Sequence, residues 1–72
     1  MDVSWVNIEF DMGKVKMYDK RADTSIERIV IGSDTIKINY NQMSKREENY
    51  VQVILLENLL GYEYPVVRGE GI

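Results

Sequence analysis

Hydrophobic and polar positions alternate with a period of two along most of this chain. Val6, Ile8 and Phe10 alternate with Asn7 and Glu9, the pattern of a strand with one wet face. Trp5 shares the parity of Asn7 and Glu9, which places it at an edge of the core or in an interface. Asp11-Met12-Gly13 carries turn chemistry, because Gly13 can take a positive φ without penalty. From Lys14 to Tyr18 the alternation resumes: Val15 and Met17 face one way, and Lys14, Lys16 and Tyr18 the other. A first hairpin is predicted here.

Asp19 to Thr24 is polar and without period, which suits a loop. Between Ser25 and Ile31, Ile26, Arg28 and Val30 lie on one parity and Glu27, Ile29 and Ile31 on the other. The isoleucine and valine content favours a strand, with a single capped helical turn as the competing reading. Gly32-Ser33-Asp34 is a strong turn signal. Ile36, Ile38 and Tyr40 then alternate with Lys37 and Asn39, completing a second hairpin.

Residues 50 to 60 read Tyr-Val-Gln-Val-Ile-Leu-Leu-Glu-Asn-Leu-Leu, with eight apolar residues in eleven. Ser44 and Glu47 have the spacing of a capping box, and Gly61 stands where a helix would end in a left-handed residue. These end signals predict a helix from about Lys45 to Leu60. Tyr50 to Ile54 has strand-like residue types, so a strand is the competing reading; the end signals and the length favour the helix. Pro65 limits the following segment to an edge strand or an extended arm. Residues 1–67 form a single predicted domain, followed by a loose tail at 68–72.

The fold class expected is α+β: an antiparallel sheet of about four strands from two hairpins, with one C-terminal helix packed on one face. The expected core comprises Val6, Ile8, Phe10, Val15, Met17, Ile29, Ile31, Ile36, Ile38, Ile54 and Leu55, with Tyr50 nearby.

Length changes how that apolar run is read. A chain of 72 residues is near the lower limit for folding on one core, and such chains usually need a staple or an oligomer. Cys and His are both absent, so disulfides are excluded and the preferred ligands of structural zinc are missing. On a helix the apolar residues of 50–60 would spread around most of the circumference, more than one sheet face covers. Each Leu or Ile left in water forgoes roughly 1.5–3 kcal/mol. Either the tail folds back over the surplus, or a second copy covers it. A homodimer is the favoured outcome, with Val51, Leu56, Leu59, Leu60, Tyr62 and Tyr64 as the protein interface.

Composition narrows the chemistry. Ser-His-Asp and Cys-His nucleophilic arrangements are impossible, and the scattered glycines make no phosphate loop. Glu9 with Asp11, and Glu47 with Glu48, are carboxylate pairs, but their spacing matches no calcium loop. No catalytic residue, cofactor or metal is expected. The net charge of −3 argues against bulk attraction to nucleic acid or anionic membrane. No basic segment followed by an apolar run opens the chain, and 50–60 is far short of the roughly 20 residues that span a bilayer. A cytoplasmic protein with no membrane partner is expected.

The leading functional expectation is a small non-enzymatic protein-binding factor, homodimeric and acting by protein–protein contact, as a regulatory factor or an inhibitor of a host protein. The alternative is a nucleic-acid-binding module using Lys14, Lys16, Tyr18, Lys20 and Arg21, with lysines on phosphates and the tyrosine stacked on a base. Size, lack of Cys and His, and hairpins followed by one helix resemble many small proteins encoded by bacteriophages and mobile elements. No motif carries that likeness, and no residue or activity is transferred from it.

Overall fold

Period-two alternation becomes strand after strand in the computed structural model, which describes residues 1–41 and 50–66. The elements are β1 (Asp2–Val3), β2 (Trp5–Asp11), β3 (Lys14–Asp19), β4 (Ile26–Ile31), β5 (Thr35–Tyr40), β6 (Tyr50–Leu55), a 3-10 turn (Leu56–Asn58) and β7 (Gly61–Glu63). They form two antiparallel sheets. One has the order β1-β4-β5-β6 and the other β3-β2-β7. The core lies between them: Val3, Val6, Ile8, Tyr18, Ile26, Ile29, Ile31, Ile36 and Ile38 are buried.

The chain passes between the sheets three times. At Ser4 it leaves β1 for β2, with Val3 and Val6 buried on either side of the corner. The β3–β4 connection crosses back, held by backbone bonds from Ala22 and Asp23 to the Asp19 carbonyl. The third crossing is the 3-10 turn, where Leu56 and Leu59 pack against the core.

The expected α+β fold is therefore wrong: the chain is strand-dominated, and no C-terminal helix packs on a sheet. Tyr50–Leu55 pairs along the whole of β5, from Tyr40↔Tyr50 to Thr35↔Leu55. That pairing supplies backbone partners along a full strand length, and the β-forming residue types suit it. The helix-start signals at Ser44 and Glu47 lie outside the described residues. Gly61 opens β7 instead of ending a helix, and Gly13 is the one described residue at positive φ. The two hairpins exist, but one belongs to each sheet. The loose tail expected at 68–72 also lies outside the described residues.

A second correction concerns which face of β3 is buried. Asp11 pairs with Lys14 across the Met12-Gly13 turn, Gly13 standing at φ +75°. A bulge at Phe10 then shifts the ladder by one residue, giving Glu9↔Val15, Ile8↔Lys16, Asn7↔Met17 and Val6↔Tyr18. A straight ladder would have set Val15 against Phe10 and Met17 against Ile8. One extra residue flips every side chain of the strand. Tyr18 is consequently buried, while Phe10, Val15 and Met17, expected in the core, are exposed. Leu55, also expected inside, lies on the outer face of β6 and is exposed. A bulge between Ile26 and Arg28 acts the other way, letting Ile26, Ile29 and Ile31 all face inward despite their mixed parity.

Candidate functional site

β6 is the terminal strand of its sheet, and its alternation is inverted relative to what burial would favour. Tyr50, Gln52 and Ile54 point inward; Val51, Val53 and Leu55 point outward and are 51%, 53% and 44% exposed. Their β5 neighbours on that outer face are Asn39, Lys37 and Thr35, too short or too polar to cover them.

The backbone phase of this edge follows from two hydrogen bonds. Gly32 N–H donates to the Thr35 carbonyl at 2.8 Å, and Leu56 N–H to the Asp34 carbonyl at 3.0 Å. In an antiparallel ladder hydrogen-bonded pairs alternate with non-bonded ones. Thr35, Lys37 and Asn39 therefore turn their polar groups to β4, and Ile36, Ile38 and Tyr40 theirs to β6. On β6 it is residues 50, 52 and 54 that bond to β5. Val51, Val53 and Leu55 direct N–H and C=O away from the sheet. The Leu55 carbonyl, at the N-cap of the 3-10 turn, is committed to that turn. Three N–H and two C=O groups remain, and among the described residues no hydrogen bond reaches them.

The other edges are guarded. β1 is two residues long, and its Asp2 is gripped by Arg28 through bonds of 2.7 and 3.0 Å. β7 has three residues and carries Glu63, which accepts from Asn7 at 3.1 Å. β3 bears Lys14, Lys16 and Asp19, with Lys16 on the inward-turned parity of Tyr18 and its ammonium 5.0 Å from that ring. Short strands, bulges and inward charges are the standard protections against unwanted pairing. β6 has none: it is six residues long, unbulged and without a charge.

Beneath this edge the sheets part. A cleft of about 420 Å³ opens between β3 and β6, lined among others by Phe10, Lys16, Val53 and Leu59. Gln52 bridges it: its amide Nε2 donates to the Tyr18 hydroxyl at 3.1 Å, and its Oε1 accepts from the Tyr40 hydroxyl at 3.0 Å. Tyr40 stacks on Tyr50 at 4.5 Å between ring centroids. Burial, then the nearby Tyr18, Tyr50 and Asp23, push the Tyr40 phenol up to about 12. No protein-family model, curated protein or solved structure matches the chain.

The six residues expected to form an interface are divided by the fold. Val51, Leu60 and Tyr62 are exposed, whereas Leu56, Leu59 and Tyr64 pack against the core. Tyr64 also lies 6.0 Å from Tyr62, ring to ring. Val53 and Leu55 join Val51 on the open face, a pairing that helical spacing concealed and strand spacing would have revealed. The basic group is similarly dispersed. Tyr18 is buried, Lys14 lies 3.8 Å from Asp11, and Arg21 is held by both oxygens of Asp19 at 2.9 Å. That ion pair holds the Asp19 carboxyl below its usual range. Lys20 is exposed. Of the carboxylate pairs, Asp11 caps the Met12 N–H at 2.8 Å, and Glu47 and Glu48 lie outside the described residues. Among the described residues no three potential metal-ligating side chains converge, and no helix is long and apolar enough to cross a membrane.

Proposed function

We propose that this protein is a small, non-enzymatic, protein-binding factor of the cytoplasm that docks by adding a strand to the free edge of β6. The observation that carries this reading is the unguarded edge: five backbone groups without a partner among the described residues, flanked by an outward stripe of Val51, Val53 and Leu55. In strand addition the main-chain hydrogen bonds give affinity and the alternate side chains give selectivity. A regulatory or inhibitory role follows from such contact, since a chain of 72 residues can occupy a partner's sheet edge without chemistry of its own. The absence of Cys from the sequence suits a reducing compartment.

The nucleic-acid reading draws less support. The phenol meant for base stacking is buried, and Lys14 and Arg21 already have carboxylate neighbours.

Val53→Pro tests the docking edge. The Val53 N–H points away from β5, so proline there leaves the internal ladder whole, the position in which sheets tolerate it. Immobilised wild-type protein is expected to retain a partner from host extract, or a second copy of itself, that the variant does not. Equal retention by both, or retention by neither, overturns the reading.

A further inference from the structure

The β6 stripe is symmetric about its own middle residue. Reading outward from Val53, the next outward-facing residue is apolar in both directions, Val51 on one side and Leu55 on the other. A surface that meets an identical copy across a two-fold axis must be self-complementary in this sense. We propose that the partner at this edge is a second copy of the chain, pairing antiparallel β6 to β6 with the two-fold axis at Val53. The proposal rests on the docking-edge reading and names its occupant.

The backbone phase fits that register. Val53 turns both polar groups outward, so Val53 and its symmetry mate exchange two hydrogen bonds at the axis. Each Leu55 N–H meets the other copy's Val51 carbonyl, giving two more. These four bonds use only groups that have no partner among the described residues. Each Val51 N–H would lie opposite the other copy's Leu55 carbonyl, which also serves the 3-10 turn. The same register lays all three outward side chains of each copy beside those of the other, Val51 against Leu55 and Val53 against Val53. Slipping the axis to Gln52 would set Val51 against Val53 and leave each Leu55 beyond the other copy's β6, with no partner in the stripe.

Nothing on β6 opposes the pairing. It holds no charge to repel its copy, no proline and no bulge. Lys37, on the outer face among the described residues, sits one strand back opposite Val53. The paired molecule becomes one continuous eight-stranded sheet, β1-β4-β5-β6 followed by the same order reversed.

The chain has no cysteine, which makes the register directly testable. Hydrogen-bonded antiparallel partners lie about 5.5 Å apart at Cα, within the disulfide range. Under mild oxidation Val53→Cys is expected to cross-link at least about tenfold faster than Val15→Cys, an exposed site on the other sheet. Sedimentation at about 100 μM, enough to populate a dimer of micromolar or tighter affinity, is expected to show the wild type as a dimer and Val53→Pro as a monomer. A monomeric wild type overturns the proposal, as does cross-linking no faster than at Val15. If the wild type is monomeric yet loses another captured protein on Val53→Pro, self-pairing alone has failed and the docking edge stands. If Val53→Pro changes no capture at all, the docking edge has failed too.

Discussion

Among the hydrogen bonds of the described residues, the Gln52 side chain ties the two sheets together by reaching Tyr18, and replacing it with leucine tests how much that tie contributes. Its partners differ in exposure. Tyr18 is 5% exposed, so the loss of its amide donor leaves a buried hydroxyl short of a partner, at a cost of roughly 1–3 kcal/mol. Tyr40 is half-buried and can turn its hydroxyl to water, losing only about 1 kcal/mol. The leucine recovers part of this by apolar burial at about 25 cal/mol per Å². The net expectation for Gln52→Leu is a loss of about 2 kcal/mol, or roughly 8–16 °C in Tm for a domain of this size. Urea titration followed by the fluorescence of Trp5, the sole tryptophan, measures it. Tyr18→Phe completes a double-mutant cycle, in which the coupling expected for directly bonded residues is about 1–2 kcal/mol. If Gln52→Leu unfolds within 0.5 kcal/mol of the wild type (about the additivity error of such cycles), or the two changes simply add, the bridge contributes nothing and the sheets are held by packing alone.

Two further outcomes follow from the same geometry. Tyr40 is neutral at ordinary pH, and its phenol ionises in the folded protein only at about 12, whereas the unfolded chain ionises near 10. Stability is thus full below pH 10 and is lost as the pH rises from 10 to 12. Allowing for solvent screening of a half-exposed ring, the loss is about 1 kcal/mol; Tyr40→Phe is expected to flatten that part of a Tm-versus-pH curve, and an unchanged slope would count against the burial. Gly13→Ala meets no atom within 4 Å but must adopt φ +75°, so it is expected to cost about 1 kcal/mol by strain alone, measurable as a shift in urea midpoint without a change in slope.

The alternation that signals strands was legible wherever one face met the core and the other met water. β2, β4 and β5 stand where their patterns place them, and Val6, Ile8, Ile29, Ile31, Ile36 and Ile38 are buried as that alternation requires. β6 was obscured because its outward residues are apolar as well. A strand greasy on both faces has no period of two, and a run of apolar residues reads equally as a buried helix. Val51, Val53 and Leu55 break the alternation by being apolar on an exposed face, and the same three residues form the stripe proposed as a docking edge.

The misplaced face of β3 has a different origin. Nothing local to Lys14–Asp19 is ambiguous, and its alternation is regular. What the pattern does not contain is the hidden residue on the partner strand, since a bulge at Phe10 is a property of the pair β2–β3 and not of either sequence alone. Burying Tyr18 instead of Val15 and Met17 exposes two apolar side chains, and the arrangement gains a phenol whose ring fills the core while its hydroxyl reaches Gln52. The bulge therefore positions β3 so that a polar contact spans the cleft under β6. Through Gln52, that contact reaches the strand whose outer edge is left open. Gln52 ties the inner face of β6 to two tyrosines, and an edge ordered within its own chain would lose less entropy in the proposed pairing.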